Sequence, residues 1–265
     1  VNALSDLFSL KGKTALVTGG AGYLGSEISI TLAELGARVI IASRDIKKCK
    51  DKCNEINKQL GNDCDIHFLE LDLMKKKSIL HCFKQIDLQF GGLDILVNNA
   101  WSGNKNSFES ITDEDWEYDI NMSLNSVFYC IKRALPGLKK NKGVILNITS
   151  MYGHVAPDYR IYEGTEFTNP PSYGVAKAGV IQFTKYLASF LAPDHIRVNC
   201  LSPGPFPHEV TQHNQEFIKK ISSKNPLNRI GKPHEIKGAV ALLCTDASSY
   251  MTGQNICVDG GWSIW

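Results

Sequence analysis

The sequence predicts a doubly wound α/β fold, a parallel sheet of about seven strands with helices on both faces, and three observations carry that prediction. Apolar runs of strand length alternate with helical segments along the whole chain. The strand-like runs are continuously apolar rather than alternating, as strands buried on both faces are. The first of them, TALVT, breaks into GGAGYLG and resumes at helical spacing.

Taken in order, TALVTG is the first strand. Leu24, Ile28, Leu32 and Leu35 then mark a helix stopped by Gly36. ARVIIAS is the second strand. Its helix carries the stripe Ile46, Cys49, Cys53, Ile56 and Leu60, spaced as a buried helix face, and ends at Gly61. DIHFLELDL is the third strand, followed by a helix through Ile79, Cys82, Phe83, Ile86 and Phe90. After the fourth strand, LDILVNNA, Thr112 and Asp115 have the spacing of a capping box. They open one long helix through Trp116, Ile120, Leu124, Phe128 and Ile131. GVILNITS, a helix from Ser172 to about Leu191, IRVNCLS, the helical GAVALLCTD and the short strand NICVDGG complete the pattern. Two stretches break the rhythm, an inserted loop over 155–171 and a segment over 202–226 read as a substrate lid.

The 265 residues make one domain, 1–265, large enough to bury a core without staples. Lys and Arg total 29 against 27 Asp and Glu, a net charge of +2 that supports neither nucleic-acid nor membrane-surface binding. No apolar run has the length to span a bilayer, and the N-terminal residues show no secretory signal. The eight cysteines form no CxxC pair, and no metal site is expected. Cys130, Cys200, Cys244 and Cys257, like Cys49 and Cys53, sit among apolar residues. They read as buried free thiols of a reducing, cytoplasmic compartment.

In GGAGYLG, Gly20, Gly22 and Gly25 satisfy G-x-G-x-x-G, with Gly19 before them. Between a strand and a helix this is the dinucleotide fingerprint, where the backbone approaches a pyrophosphate that rests on the helix N-terminus. Tyr23 and Leu24 open that helix and are expected at the cofactor, Tyr23 covering the pyrophosphate or merely filling space. The second strand ends Ser43, Arg44, Asp45. If it ends at Ser43, Arg44 meets a 2′-phosphate and the cofactor is NADP. If the turn starts later, Asp45 takes the ribose and the cofactor is NAD. NADP is the expectation. Asp72, with Leu73, ends the third strand and is placed at the adenine end or at a helix N-cap.

Tyr173 and Lys177 stand at i and i+4, on one helix face. A tyrosine titrates near 10, so acting as a base near neutrality requires a shift of about three units, roughly 4 kcal/mol. One ammonium about 4 Å away supplies that at an effective dielectric of about 20. The two residues form a plausible proton-transfer pair.

With the other motifs, the chain resembles the short-chain dehydrogenase/reductase family in its single-domain branch. The resemblance runs from about Leu10 to Gly261. It rests on TGGAGYLG, NNA at Asn98–Ala100, NITSMYG with Ser150, Tyr173 with Lys177, SPG at Ser202–Gly204, and VDGG. It implies Tyr173 as acid/base, Lys177 as the group that lowers its pKa and holds the nicotinamide ribose, and Ser150 as a hydrogen-bond partner of the reacting oxygen. It also implies that Asn99 and Ala100 line the cofactor and that Pro203 and Gly204 flank the nicotinamide. A homotetramer or homodimer follows from the same resemblance, and the apolar tail Trp262, Ile264 and Trp265 is expected at a subunit interface.

The departures are specific. Tyr23 stands where single-domain members place a glycine, and the Gly22 spacing is that of the extended epimerases and dehydratases. Trp101 replaces the glycine after NNA and puts a bulky ring near the cofactor. The helical position that carries an asparagine in many members holds Ser123, with Asn121 and Asn125 two residues to either side. Either Ser123 supports a proton-relay water or a local bulge shifts the register.

The long stretch between Ser150 and Tyr173 offers Tyr152, His154, Asp158, Tyr159, Arg160, Tyr162 and Glu163. Such groups over an active site suit a polyhydroxylated substrate, and a solvent-facing insertion accounts for them equally. The ends of the chain are similar to sugar and gluconate dehydrogenases and to flagellin-modification (nonulosonate) oxidoreductases. The leading expectation is an NADP(H)-dependent enzyme interconverting a secondary alcohol and a ketone on a sugar-like small molecule. A nucleotide-sugar epimerase or dehydratase that retains NAD, and a non-enzymatic dinucleotide sensor, are the alternatives.

Overall fold

The structure, a computed structural model, describes residues 3–61 and 64–264. Seven parallel strands form one sheet in the order β3-β2-β1-β4-β5-β6-β7. They are β1 (Thr14–Thr18), β2 (Arg38–Ser43), β3 (Ile66–Glu70), β4 (Ile95–Asn98), β5 (Val144–Ile148), β6 (Arg197–Pro203) and β7 (Asn255–Val258). The order reverses between β1 and β4, and ligands of such sheets bind in the crevice this leaves at the strand C-termini.

A short helix α1 (Leu4–Leu7), absent from the sequence pattern, precedes β1. The covering helices are α2 (Tyr23–Glu34), α3 (Ile46–Leu60), α4 (Lys76–Phe90), α5 (Asp113–Ile120), α6 (Ser126–Asn141) and α7 (Pro171–Leu191). Two small helices, α8 (Glu209–Gln212) and α9 (Gln215–Ser222), lie in the 202–226 segment, and α10 (Lys237–Cys244) precedes β7. Leu16, Ile40, Leu96 and Ile145 feed the core on one side of the sheet, with α4, α6 and α7. Val17, Ile41, Val97 and Leu146 feed the core on the other, with α2, α3 and α10.

Three local readings need correction. Ile46 opens α3 in solvent, so the buried stripe of that helix is Cys49, Cys53 and Ile56. Cys257 is exposed because β7 is an edge strand, and its apolar neighbours in sequence do not cover it. Lys75 occupies the N-cap position of α4, so Asp72 is not its cap.

The long helix after β4 is not continuous. Thr112 and Asp115 form the reciprocal capping box that opens α5. A π turn over Asn121–Asn125 then separates α5 from α6. Its wider turn moves the buried face onto Asp119, Met122, Ser123, Ser126, Val127 and Cys130, leaving Trp116 and Phe128 partly in solvent.

The two irregular stretches and the tail pack on one another. Met151, Ile161, Phe217, Ile221 and Trp262 form a third cluster, with Tyr152, Tyr162 and Phe167 against it. The 155–171 loop, α9 and the C-terminal turn thus make one cap over the strand ends. Trp262 is buried inside its own subunit, contrary to the interface expected of it, while Ile264 is exposed. Trp265 lies outside the described residues.

Candidate active site

A cavity of about 630 Å³ runs along the strand C-termini across the β1/β4 reversal. One end is the glycine turn. Gly19 has φ +64°, and a Cβ there would fall 2.8 Å from the Ala100 Cα. A Cβ on Gly25 would fall 2.1 Å from the Gly19 carbonyl oxygen. No other residue fits either position, and their bareness lets the start of α2 face the cavity. Thr18 ties this turn to β4, its hydroxyl accepting the backbone N–H groups of Asn99 (3.0 Å) and Ala100 (3.1 Å). The Asn99 amide donates to the carbonyls of Thr18 and Gly19. Gly19, Gly22, Tyr23, Leu24 and Gly25 line one wall, and Asn99, Ala100 and Trp101 the facing one. This cradle fits a dinucleotide.

At the far end β2 stops at Ser43, the geometry that makes Arg44 available. Ser43, Arg44 and Lys48 line the cavity. Asp45 lines it too, but its carboxylate accepts the Lys48 N–H as the N-cap of α3. Leu71 and Leu73 also line the cavity. Asp72 stands apart from that wall. Its carboxylate accepts the Met74 N–H and pairs with Lys75 at 3.1 Å, holding the turn after β3.

Ser150, Tyr173 and Lys177 meet at the other end, together with Pro203 and Gly204. Ser150 begins a tight turn over Met151–Gly153 that presses on α7. A Cβ on Gly153 would meet the Lys177 backbone at 2.9 Å, and one on Gly174 would meet the Tyr152 carbonyl at 2.9 Å. That close approach sets the Ser150 hydroxyl beside the Tyr173 phenol, close enough to act on its titration. Lys177 is buried, and its Nζ donates to the Ile148 carbonyl at 2.9 Å. Its ammonium lies 5.7 Å from the centre of the Tyr173 ring.

The electrostatics differ from the simple pairing expected. Burial raises the Tyr173 phenol above its ordinary 10, and the Ser150 hydroxyl opposes that rise. Burial also lowers Lys177 to about 8. The resting phenol therefore keeps its proton, ready for donation, and Ser150 rather than Lys177 is its immediate partner.

Asp119 is a positioning residue that the sequence did not disclose. Buried at the end of α5, it accepts the Ser172 hydroxyl at 2.6 Å and the Asn104 N–H at 3.0 Å. It thereby fixes the start of α7, next to Tyr173, against the loop that carries Trp101. The Trp101 ring packs edge-on to Tyr173, with centroids 5.3 Å apart. Asn121 and Asn125 bond to each other at the protein surface. Ser123 is buried in the π turn, its hydroxyl without a hydrogen-bond partner. Ala42, Lys48, Met122, Phe206 and His208 also line the cavity. No sequence motif marks them: Ala42 lies in β2, Lys48 in α3 and Met122 in the π turn, and Phe206 and His208 follow β6.

A second cavity of about 270 Å³ opens beside Ser150, Tyr173 and Trp101. Tyr152, Tyr162, Phe167, Phe206, Phe217 and Trp262 give it aromatic walls, and Asn104, Lys105 and Asn169 add polar groups. The polar residues of the 155–171 loop largely point elsewhere. Asp158 pairs with Arg160 and Lys224. His154 lies against Asn255 and Cys257, and the Tyr159 hydroxyl donates to the Asn169 carbonyl. Only Tyr152 and Tyr162 of the expected set face the pocket.

Comparison with known proteins agrees with this geometry. Residues 20–263 match the family model described as enoyl-(acyl carrier protein) reductase. The chain is 33% identical to the rhamnolipids biosynthesis 3-oxoacyl-(acyl-carrier-protein) reductase of Pseudomonas aeruginosa, covering 97% of this chain and 98% of that one. It is 35% identical to the 3-oxoacyl-(acyl-carrier-protein) reductase of Aquifex aeolicus, covering 95% and 98%. Among solved structures, the Pseudomonas aeruginosa RhlG/NADP active-site complex superposes with a TM-score of 0.88 at 32% identity, covering 97% and 99%. A putative gluconate dehydrogenase from Agrobacterium tumefaciens gives 0.87 at 31%, covering 97% and 98%. The chain belongs to the short-chain dehydrogenase/reductase family, whose members are NAD(P)-dependent oxidoreductases.

Proposed function

We propose that this protein is an NADP(H)-dependent oxidoreductase that interconverts a secondary alcohol and a ketone on a compact, sugar-derived substrate. The observation that carries the proposal is the convergence of Ser150, Tyr173 and Lys177 where the dinucleotide cavity meets the aromatic pocket. When bound, the nicotinamide supplies or accepts the hydride. Ser150 hydrogen-bonds the substrate oxygen and Tyr173 transfers its proton. Lys177 holds the ribose and favours the phenolate when the reaction runs as an oxidation. In the reductive direction the raised phenol pKa is an advantage, because the developing alkoxide then meets a protonated donor.

Arg44 and Lys48 beside Ser43, with Asp45 engaged as a helix cap, favour a 2′-phosphate over a bare ribose hydroxyl. The NADP complex from Pseudomonas aeruginosa supports that choice. The aromatic walls suit the C–H faces of a small sugar-like ring, and Asn104, Lys105 and Asn169 suit its polar rim. A gluconate 5-dehydrogenase from Burkholderia cenocepacia, solved with NADP and tartrate, supports the same substrate class at 25% identity. A 3-oxoacyl thioester is the second reading, favoured by the reductases among the relatives and by the apolar cup.

Absorbance at 340 nm with keto sugars, keto sugar acids and 3-oxoacyl thioesters, each with NADPH and NADH, tests both readings. Turnover of the sugar class with NADPH is expected. Turnover confined to the thioesters would replace the substrate, and product formation with no net absorbance change would indicate an epimerase or dehydratase.

For assembly we look to helices α6 and α7 rather than to the tail. Phe128, Phe183, Tyr186 and Phe190 form a ladder of neighbouring rings, and three of the four are substantially exposed. Such a face suits a homo-oligomer contact. The six buried free cysteines suit a reducing compartment such as the cytoplasm.

A further inference from the structure

Tyr23, the residue that interrupts the glycine turn, is the first residue of α2 and forms a direct contact with the lid. Its ring packs against His208 with centroids 4.5 Å apart, and its hydroxyl accepts from the Gln212 amide at 3.4 Å. His208 immediately precedes α8 and lines the same cavity as Gly22, Tyr23 and Leu24. The dinucleotide reading places the pyrophosphate at that helix start. An imidazole packed at a tilt against the first side chain of α2 therefore sits beside the place where two phosphates would rest.

We propose that His208 is a lid-borne ligand of the cofactor pyrophosphate, positioned by Tyr23, so that phosphate binding and lid closure share one contact. This rests on the reading of the long cavity as a dinucleotide site. The charged groups around His208 fit the role. Lys48 from α3 and Lys105 from the loop after β4 act on it with positive charge, and the acidic Glu209 follows it in the chain. Burial, reinforced by those two lysines, holds the imidazole below its ordinary value. In the free protein at neutral pH it is therefore uncharged. Arriving phosphate oxygens reverse the local field and favour the imidazolium, so binding draws in a proton. A glycine at position 23 has no ring to pack against His208. The unusual residue in the turn thus has a partner that a glycine-only reading does not supply.

Calorimetric titration of the full chain with NADPH and with NADH, in buffers of different ionisation enthalpy near pH 7.5, tests the proposal. Wild type, His208→Gln and Tyr23→Ala would be compared, with circular dichroism as the check on folding. Wild type is expected to take up a fraction of a proton with both cofactors, and His208→Gln to lose that uptake. Loss of one charge-assisted hydrogen bond corresponds to roughly tenfold weaker binding, and both substitutions should show it for both cofactors. Proton uptake unchanged in His208→Gln would overturn the assignment. A loss confined to NADPH would overturn it too, because the partner would then be the 2′-phosphate. Failure of wild type to bind either cofactor would sink the dinucleotide reading itself, and the inference with it.

Discussion

Tyr173 and Lys177 share a helix face, but their resting electrostatics are set by different neighbours. The phenol is governed by burial and by Ser150, and the ammonium by burial beneath the Ile148 carbonyl. Lys177 is lowered to about 8 in the folded protein, whereas an unfolded lysine titrates near 10.4. Below pH 8 both states hold the proton, and the folded state bears its desolvation. Between about pH 8 and 10.4 only the unfolded state keeps the proton, so this residue's contribution to stability rises with pH through that window. The slope approaches 1.4 kcal/mol per unit. Urea unfolding of wild type and Lys177→Met between pH 7.5 and 10 should show wild type gaining on the variant. A constant difference would contradict the lowered pKa. The spacing of the pair was readable in the sequence. The partition of its electrostatics was not, because it depends on a turn more than twenty residues upstream pressing Ser150 onto α7.

At the scale of elements, the glycine turn and the π turn show the two limits of sequence reading. The turn was legible because glycine positions report backbone constraints directly. Gly25→Ala would drive a methyl group into the Gly19 carbonyl, at a distance no real contact shows. The variant is expected to lose NADPH binding by more than about tenfold and several degrees of melting temperature, since overpacking costs about 1–3 kcal/mol. Fluorescence titration and thermal melts would check this, and unimpaired binding would contradict the cradle. The π turn was foreseen only as an alternative, because one extra residue per turn leaves capping and composition unchanged. Its signature is displaced burial: Ser123 inside and Phe128 outside. Asp119 escaped notice for a different reason: its partners Ser172 and Asn104 are distant in sequence.

For the whole molecule, the alternation of strands and helices predicted the parallel sheet of about seven strands, and the structure adds its order and the crevice at its reversal. What the sequence could not show was the cap, where the 155–171 loop, α9 and the C-terminal turn bury aromatic rings together. Polar side chains over 155–171 suggested a hydrophilic site, yet folding turns most of them outward and the apolar ones in. The aromatic ladder of α6 and α7 carries the assembly prediction. Phe190→Asp should shift the protein toward a smaller species in light scattering, and an unchanged mass would remove that face from the interface.

Tyr173 is proposed to exchange a proton with the oxygen on the carbon that exchanges hydride. Steady-state turnover of Tyr173→Phe, measured beside its NADPH affinity, tests it most directly. A fall in kcat of about 10²–10⁴ is expected, with affinity nearly retained. Wild-type turnover in that variant would contradict it.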